Sequence, residues 1–130
     1  MIVKCIKLRE ENPILEQSRW NNVEGHLTLS KSYVVLALQE WLGVPCAFIC
    51  DDISEDLPSK FPYFIPMYYF EIVDNSPSQY WIKKNNIIGF KELVEEEYFY
   101  YNLSEDCQRE QEIYLHYRQL MYAEAGIEAI

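Results

Sequence analysis

The sequence predicts an α+β fold: a small antiparallel β-barrel or strongly bent sheet over about residues 1–84, followed by two helices over about 88–125, within a single domain spanning 1–130. Three observations carry that expectation. Up to Lys84 the apolar runs are short, rich in Val, Ile, Tyr and Phe, and punctuated by Gly, Pro, Asn, Asp or Ser. Beyond Lys84 the apolar spacing changes to the three and four of a helix. With 130 residues, 49% of them hydrophobic, the chain can bury a core without disulfide or metal support.

The elements follow in order. IVKCIKL, residues 2–8, alternates apolar and polar side chains and reads as a strand with one wet face. Residues 9–25 are polar and irregular, with Asn12-Pro13 and Asn21-Asn22 as turn signals, so they form a long loop with a helical turn at ILEQSRW, residues 14–20. LTLSKSYVVLALQEW (27–41), VPCAFICDD (44–52), YFIPMYYFEIVD (63–74) and QYWIKK (79–84) read as further strands. Pro66 would delete a ladder hydrogen bond, which predicts a bend or one-turn helix near IPMYY. GFKELVEEEYFYYNL, residues 89–103, places Val94, Tyr98 and Tyr101 at i, i+4 and i+7 of an amphipathic helix. Asn102 and Ser104 break it, and Ser104 is the expected N-cap of a second helix over 105–124, with Glu105 and Asp106 in its first turn. Ile113, Tyr114, Tyr117, Leu120 and Met121 form that helix's apolar stripe, and Gly126 ends it.

Charge and cysteine usage narrow the function. With 21 Asp and Glu against 11 Lys and Arg, the net charge of −10 repels nucleic acid and anionic membrane and attracts a basic partner. No stretch reaches the length of a membrane span, and lysines interrupt the apolar residues of MIVKCIKLREENP, so a cytoplasmic protein is expected. Cys5, Cys46, Cys50 and Cys107 are then reduced thiols acting as small buried hydrophobes; CAFIC lacks the spacing of zinc sites or redox pairs.

Catalytic chemistry is sparse. His26 precedes a predicted strand and His116 lies in the last helix; Glu112 and His116 stand at i, i+4, but no further ligand completes a metal site. GxSxG, P-loop and dinucleotide glycine patterns are missing. DDISED lacks the alternation, central Gly and terminal Glu of an EF-hand loop. The expectation is a protein that is not an enzyme and takes no cofactor or metal.

Two acidic clusters stand out. Glu92, Glu95, Glu96 and Glu97, followed by Glu105, Asp106, Glu110 and Glu112, face a single base, Arg109. Glu92 and Glu96 are like charges at i, i+4, a small cost that folding does not require. They adjoin Tyr98, Phe99, Tyr100 and Tyr101, and tyrosine beside acid suits a basic, partly apolar protein partner. The candidate partner-binding residues are therefore Glu92, Glu95, Glu96, Glu97, Phe99 and Tyr100. Tyr98 and Tyr101 are set aside for the core stripe. Asp51, Asp52, Glu55 and Asp56 of DDISED form a second candidate contact.

LTLSKSYVVLAL, CAFICDDISEDLP and FIPMYYFEIVD together look like the grammar of SH3-like barrels: a lead-in, a first hairpin, an acidic turn, then a Pro-containing turn entering a final strand. Their order, followed by IIGFKELVEEEYFYYNLSED, resembles small bacterial immunity proteins of contact-dependent growth inhibition and other polymorphic toxin systems. The resemblance covers residues 27 to about 106. It implies a non-enzymatic cytoplasmic protein that binds and neutralises one cognate toxin domain, often a nuclease and hence basic, with no direct contact to nucleic acid or membrane. The alternative is an SH3-like adaptor of phage or stress-response origin, holding an extended peptide in an aromatic groove near Tyr63, Tyr68 and Tyr69.

Overall fold

A computed structural model describes residues 1–10 and 19–128. In chain order the elements are β1 (Ile2–Cys5), β2 (Ser32–Val34), β3 (Ala37–Trp41), β4 (Val44–Ile49), α1 (Asp52–Glu55), β5 (Tyr63–Pro66), β6 (Phe70–Asp74), β7 (Ile82–Lys84), β8 (Ile87–Gly89), α2 (Lys91–Glu95), α3 (Phe99–Ser104) and α4 (Gln108–Glu124). The α+β class is as expected. The strands form two antiparallel sheets, β2-β1-β6 and β5-β4-β3-β8-β7, and the described residues show no single closed barrel. The helical turn expected at 14–20 falls largely outside the described residues, as does Asn12-Pro13; Arg19–Asn21 form one 3-10 turn.

β4 explains the layering. Its side chains alternate between two apolar environments: Ala47 and Ile49 join Val3, Cys5, Tyr33 and Ile65 in one core, whereas Phe48 joins Phe90, Leu93, Phe99 and Tyr114 in another. A strand sends successive side chains to opposite faces. The five-stranded sheet therefore lies between the three-stranded sheet and the helices. Both of its faces are covered along β4, so VPCAFIC reads as a nearly continuous apolar run.

The stretch 27–41 is two strands in different sheets. Ser30 takes φ 68°, and Val35 and Leu36 carry the chain between sheets, Val35 entering the first core and Leu36 the second. Apolar patterning alone does not show such a transfer. Pro66 behaves as predicted: β5 ends on it and Met67–Tyr69 form one 3-10 turn. β8 was hidden at the start of the expected helix. Its Gly89 packs so tightly that an added Cβ would lie 2.9 Å from Ala37 Cβ.

The helical half differs in phase from the expectation. Residues 89–103 are not one helix; Glu96 is extended (φ −93°, ψ 111°) and separates α2 from α3. The break resets which residues face inward. Ser104 caps nothing, its hydroxyl donating back to the Tyr101 carbonyl, and α4 starts after Cys107, preceded by Asp106 at φ 58°. Along α4 the buried residues are Glu110, Tyr114, Arg118, Met121 and Tyr122, rotated from the predicted stripe. Arg118 is buried with its guanidinium 4.3 Å from the Tyr122 ring centroid. Gly126 ends the helix as read: at φ 74° it donates to Ala123 O while Ile127 N donates to Tyr122 O, the paired bonds of a Schellman motif. Among the described residues no helix is long and apolar enough to cross a membrane.

Candidate functional site

The DDISED segment is a scaffold. Asp51 is fully buried; one oxygen accepts the Ser54 backbone N–H at 2.8 Å and caps α1, and the other lies 2.7 Å from His26 Nδ1. An ionised carboxylate only accepts, so Nδ1–H is the donor. Asp52 accepts from Thr28 Oγ1 (2.6 Å), Lys31 Nζ (2.6 Å) and Tyr33 OH (2.9 Å), and Glu55 takes the same ammonium at 3.0 Å. Burial opposes the charge on Asp52, yet the bonds from Lys31, Thr28 and Tyr33 outweigh it and hold the carboxyl below its ordinary range. The Lys60 ammonium donates to the Glu55 carbonyl. Of the second candidate contact, Asp51 is closed to any partner, Asp52 and Glu55 are engaged within the chain, and Asp56 is exposed.

The His26–Asp51 pair has the form of a general base and its orienting carboxylate. Its surroundings are aromatic: Trp20 and Tyr63 meet the imidazole edge-on at centroid distances of 5.2 and 6.2 Å. No serine, threonine or cysteine among the described residues bonds to the ring. All four cysteines are free; burial pushes the Cys46 thiol up to about 11 and raises that of Cys50, which keeps both protonated and weakly nucleophilic. The described residues hold no group of three or more His, Cys, Asp and Glu arranged for a metal ion.

The acidic stretch of α2 and α3 sorts its residues. Glu96 accepts both forks of the Arg109 guanidinium, at 2.7 and 2.9 Å, and Arg109 also reaches Glu110 at 2.8 Å. The lone base of the segment thus ties the α2–α3 link to α4, and its bonds lower the Glu96 carboxyl. Glu92 is half-buried. Glu95 and Glu97 are exposed and join no ion pair among the described residues.

The aromatic expectations are inverted at three of four positions. Phe99, expected at the interface, is 1% exposed and packs edge-on against Phe90 at 5.4 Å. Tyr98 and Tyr101, expected in the core stripe, are 64% and 61% exposed. The extended backbone at Glu96 is the cause, because helical phase does not carry from α2 to α3. Tyr100 is half-buried, with its hydroxyl donating to Pro62 O at 3.0 Å and its ring 5.3–5.7 Å from Phe61, Phe48 and Phe64.

Between this elbow and the sheet lies a concavity of about 430 Å³. The sheet contributes Gln39, Phe64 and Ile87; the helices contribute Leu93, Val94 and Tyr100; Glu96 and Glu97 come from the link. It arises from the length of α2. Ala37 of β3 lies beside Gly89 of β8 and shares a buried core with Leu93 of α2, whereas Gln39, two residues further on the same face of β3, is exposed. Sequence reading found Glu96, Glu97 and Tyr100 and missed the sheet residues. One signal was present: within β3, Gln39 is a polar residue at the same phase of the alternation as Ala37 and Trp41.

The three tyrosines named for the aromatic groove of the adaptor reading differ in burial. Tyr63 and Tyr68 are half-buried, but Tyr69 is fully buried, with its hydroxyl donated to the Trp20 carbonyl. No protein-family model matches the chain, and neither curated protein sequences nor solved structures yield a match.

Proposed function

We propose that the chain is an immunity-type inhibitor, a non-enzymatic cytoplasmic protein that neutralises one basic, nuclease-type toxin domain by docking it on the α2–α3 face. The observation that carries this reading is the pairing of exposed acids outside any described ion pair, Glu95 and Glu97, with exposed tyrosines, Tyr98 and Tyr101. Folding has no use for four such residues side by side. The acids give a steering field on a chain of net charge −10, and the tyrosines give contact area at low entropic cost. The resemblance of residues 27–106 to small immunity proteins, read from the sequence, supports the same class.

The test begins with affinity capture of the partner from native lysate by the tagged full chain. The captured protein should carry a basic domain whose toxicity on expression is suppressed by co-expression of this chain. The double variant Glu95→Lys, Glu97→Lys changes the net charge from −10 to −6. It should slow association roughly tenfold at low salt, because steering acts mainly on the on-rate, with melting temperature unchanged. A captured partner that is acidic, or one whose toxicity the chain leaves intact, would overturn the proposal.

A further inference from the structure

An electrostatic field steers a partner but does not hold it, and stable interfaces are fastened by a few side chains seated in pockets. We infer that the concavity between β3, β8 and the α2–α3 elbow is the anchor of this face and takes one arginine side chain projecting from the partner. The inference rests on the reading that a basic protein docks here, and it names the chemistry of that contact.

Size comes first. About 430 Å³ is near the small end of ligand sites, right for a single long side chain with water. Its lining matches arginine part by part. Ile87, Leu93 and Val94 offer apolar surface to the methylene stem, as long basic side chains require. Phe64 and Tyr100 supply ring surface against which a planar guanidinium stacks. Glu97 and the Gln39 carbonyl oxygen are acceptors for its N–H groups. The other carboxylate, Glu96, already holds the Arg109 guanidinium by both forks, so Glu97 is the one left to an incoming cation. A lysine would satisfy the charge and forgo the stacking. An acidic side chain would meet Glu97, and an apolar one would strip water from Gln39 and Glu97 without replacing it.

The site is also held in shape before binding. Phe64 stacks on Phe48 at 4.4 Å, and Tyr100 is fixed by its bond to Pro62, so little ordering remains for the partner to impose. Trp41, two residues beyond Gln39 on the same side of β3 and 40% exposed, extends the surface past the pocket.

The probe is the capped peptide acetyl-Gly-Arg-Gly-amide, titrated onto the full-length ¹⁵N-labelled chain at low salt, beside its lysine and citrulline counterparts. Saturable shifts are expected at the amides of Gln39, Ile87, Val94 and Glu97, with binding at least threefold weaker for lysine and tenfold weaker for citrulline. Glu97→Gln should weaken the arginine peptide at least fivefold. Glu95→Gln, the same loss of charge outside the pocket, should change it less than twofold. Thermal melts of both variants confirm that they fold. Equal weakening by both, or shifts that spread over every acid without saturating, would overturn the anchor. Its failure is separable from that of the inhibitor reading: a captured toxin that still associates in a manner sensitive to Glu95→Lys, Glu97→Lys, with no arginine-peptide site, sinks the anchor alone.

Discussion

Replacing Asp51 by alanine decides whether the acidic loop is scaffold or contact. The carboxylate is fully buried and has two jobs. Loss of the N-cap bond to Ser54 costs about 1 kcal/mol. Loss of the bond to His26, which leaves a half-buried imidazole donor without its acceptor, costs about 1–3 kcal/mol. The sum is a destabilisation of about 2–4 kcal/mol. In urea, with a slope of about 2 kcal/mol/M for a chain of this size, the unfolding midpoint should fall by about 1–2 M at unchanged slope. Asp51→Asn retains an oxygen for Ser54 and places an amide beside the imidazole, so it should lose about half as much. The cycle of Asp51→Ala with His26→Ala should show a coupling of about 1–2 kcal/mol, as expected of bonded neighbours. If Asp51→Ala shifts stability by less than about 0.5 kcal/mol, the range of ordinary surface changes, and weakens partner binding instead, the scaffold reasoning is refuted.

Three further outcomes follow from the packing and the charges. Phe99→Ala should cost about 3–5 kcal/mol as a large-to-small change in a closed core, whereas Tyr101→Ala should leave the urea midpoint nearly unchanged and show its effect in partner affinity. Gly89→Ala should destabilise by about 1–3 kcal/mol through overpacking, since the new methyl lies 2.9 Å from the immovable Cβ of Ala37; an unchanged midpoint would mean that β8 and β3 separate at no cost. The Asp52 carboxyl is lowered in the folded chain, so its contribution is present above its unfolded value of about 3.9 and is lost as pH falls through the folded value; Lys31, raised by Asp52 and Glu55 against its burial, contributes below its unfolded value of about 10.4 and fades at higher pH. Urea midpoints measured across that acid range should fall less steeply for Asp52→Asn than for the parent chain.

Much of the chain was legible without its structure. The α+β class, the bend after Pro66, the stop at Gly126 and the strand at VPCAFIC all express local chemistry: a missing N–H, a positive φ, a run of β-forming residues. Of the acids named from the sequence in the α2–α3 segment, Glu95 and Glu97 are exposed. Periodicity records only which residues share a side of one unbroken element. It does not say where an element breaks, so a single extended residue at Glu96 exchanged Phe99 with Tyr98 and Tyr101 between core and surface. Nor does it say what a carboxylate meets. Asp51 finds His26 25 positions away and Glu96 finds Arg109 13 positions away, and these encounters turned one acidic cluster into scaffold and left the other open. The pocket lies furthest from the sequence: Gln39, Phe64 and Ile87 come from three strands that meet only in the folded sheet, and Ala37 is buried with Leu93 of α2 whereas Gln39 is exposed. Charge and composition raise the expectation of a basic partner; only the tertiary packing of a short helix on a longer strand decides where the concavity lies.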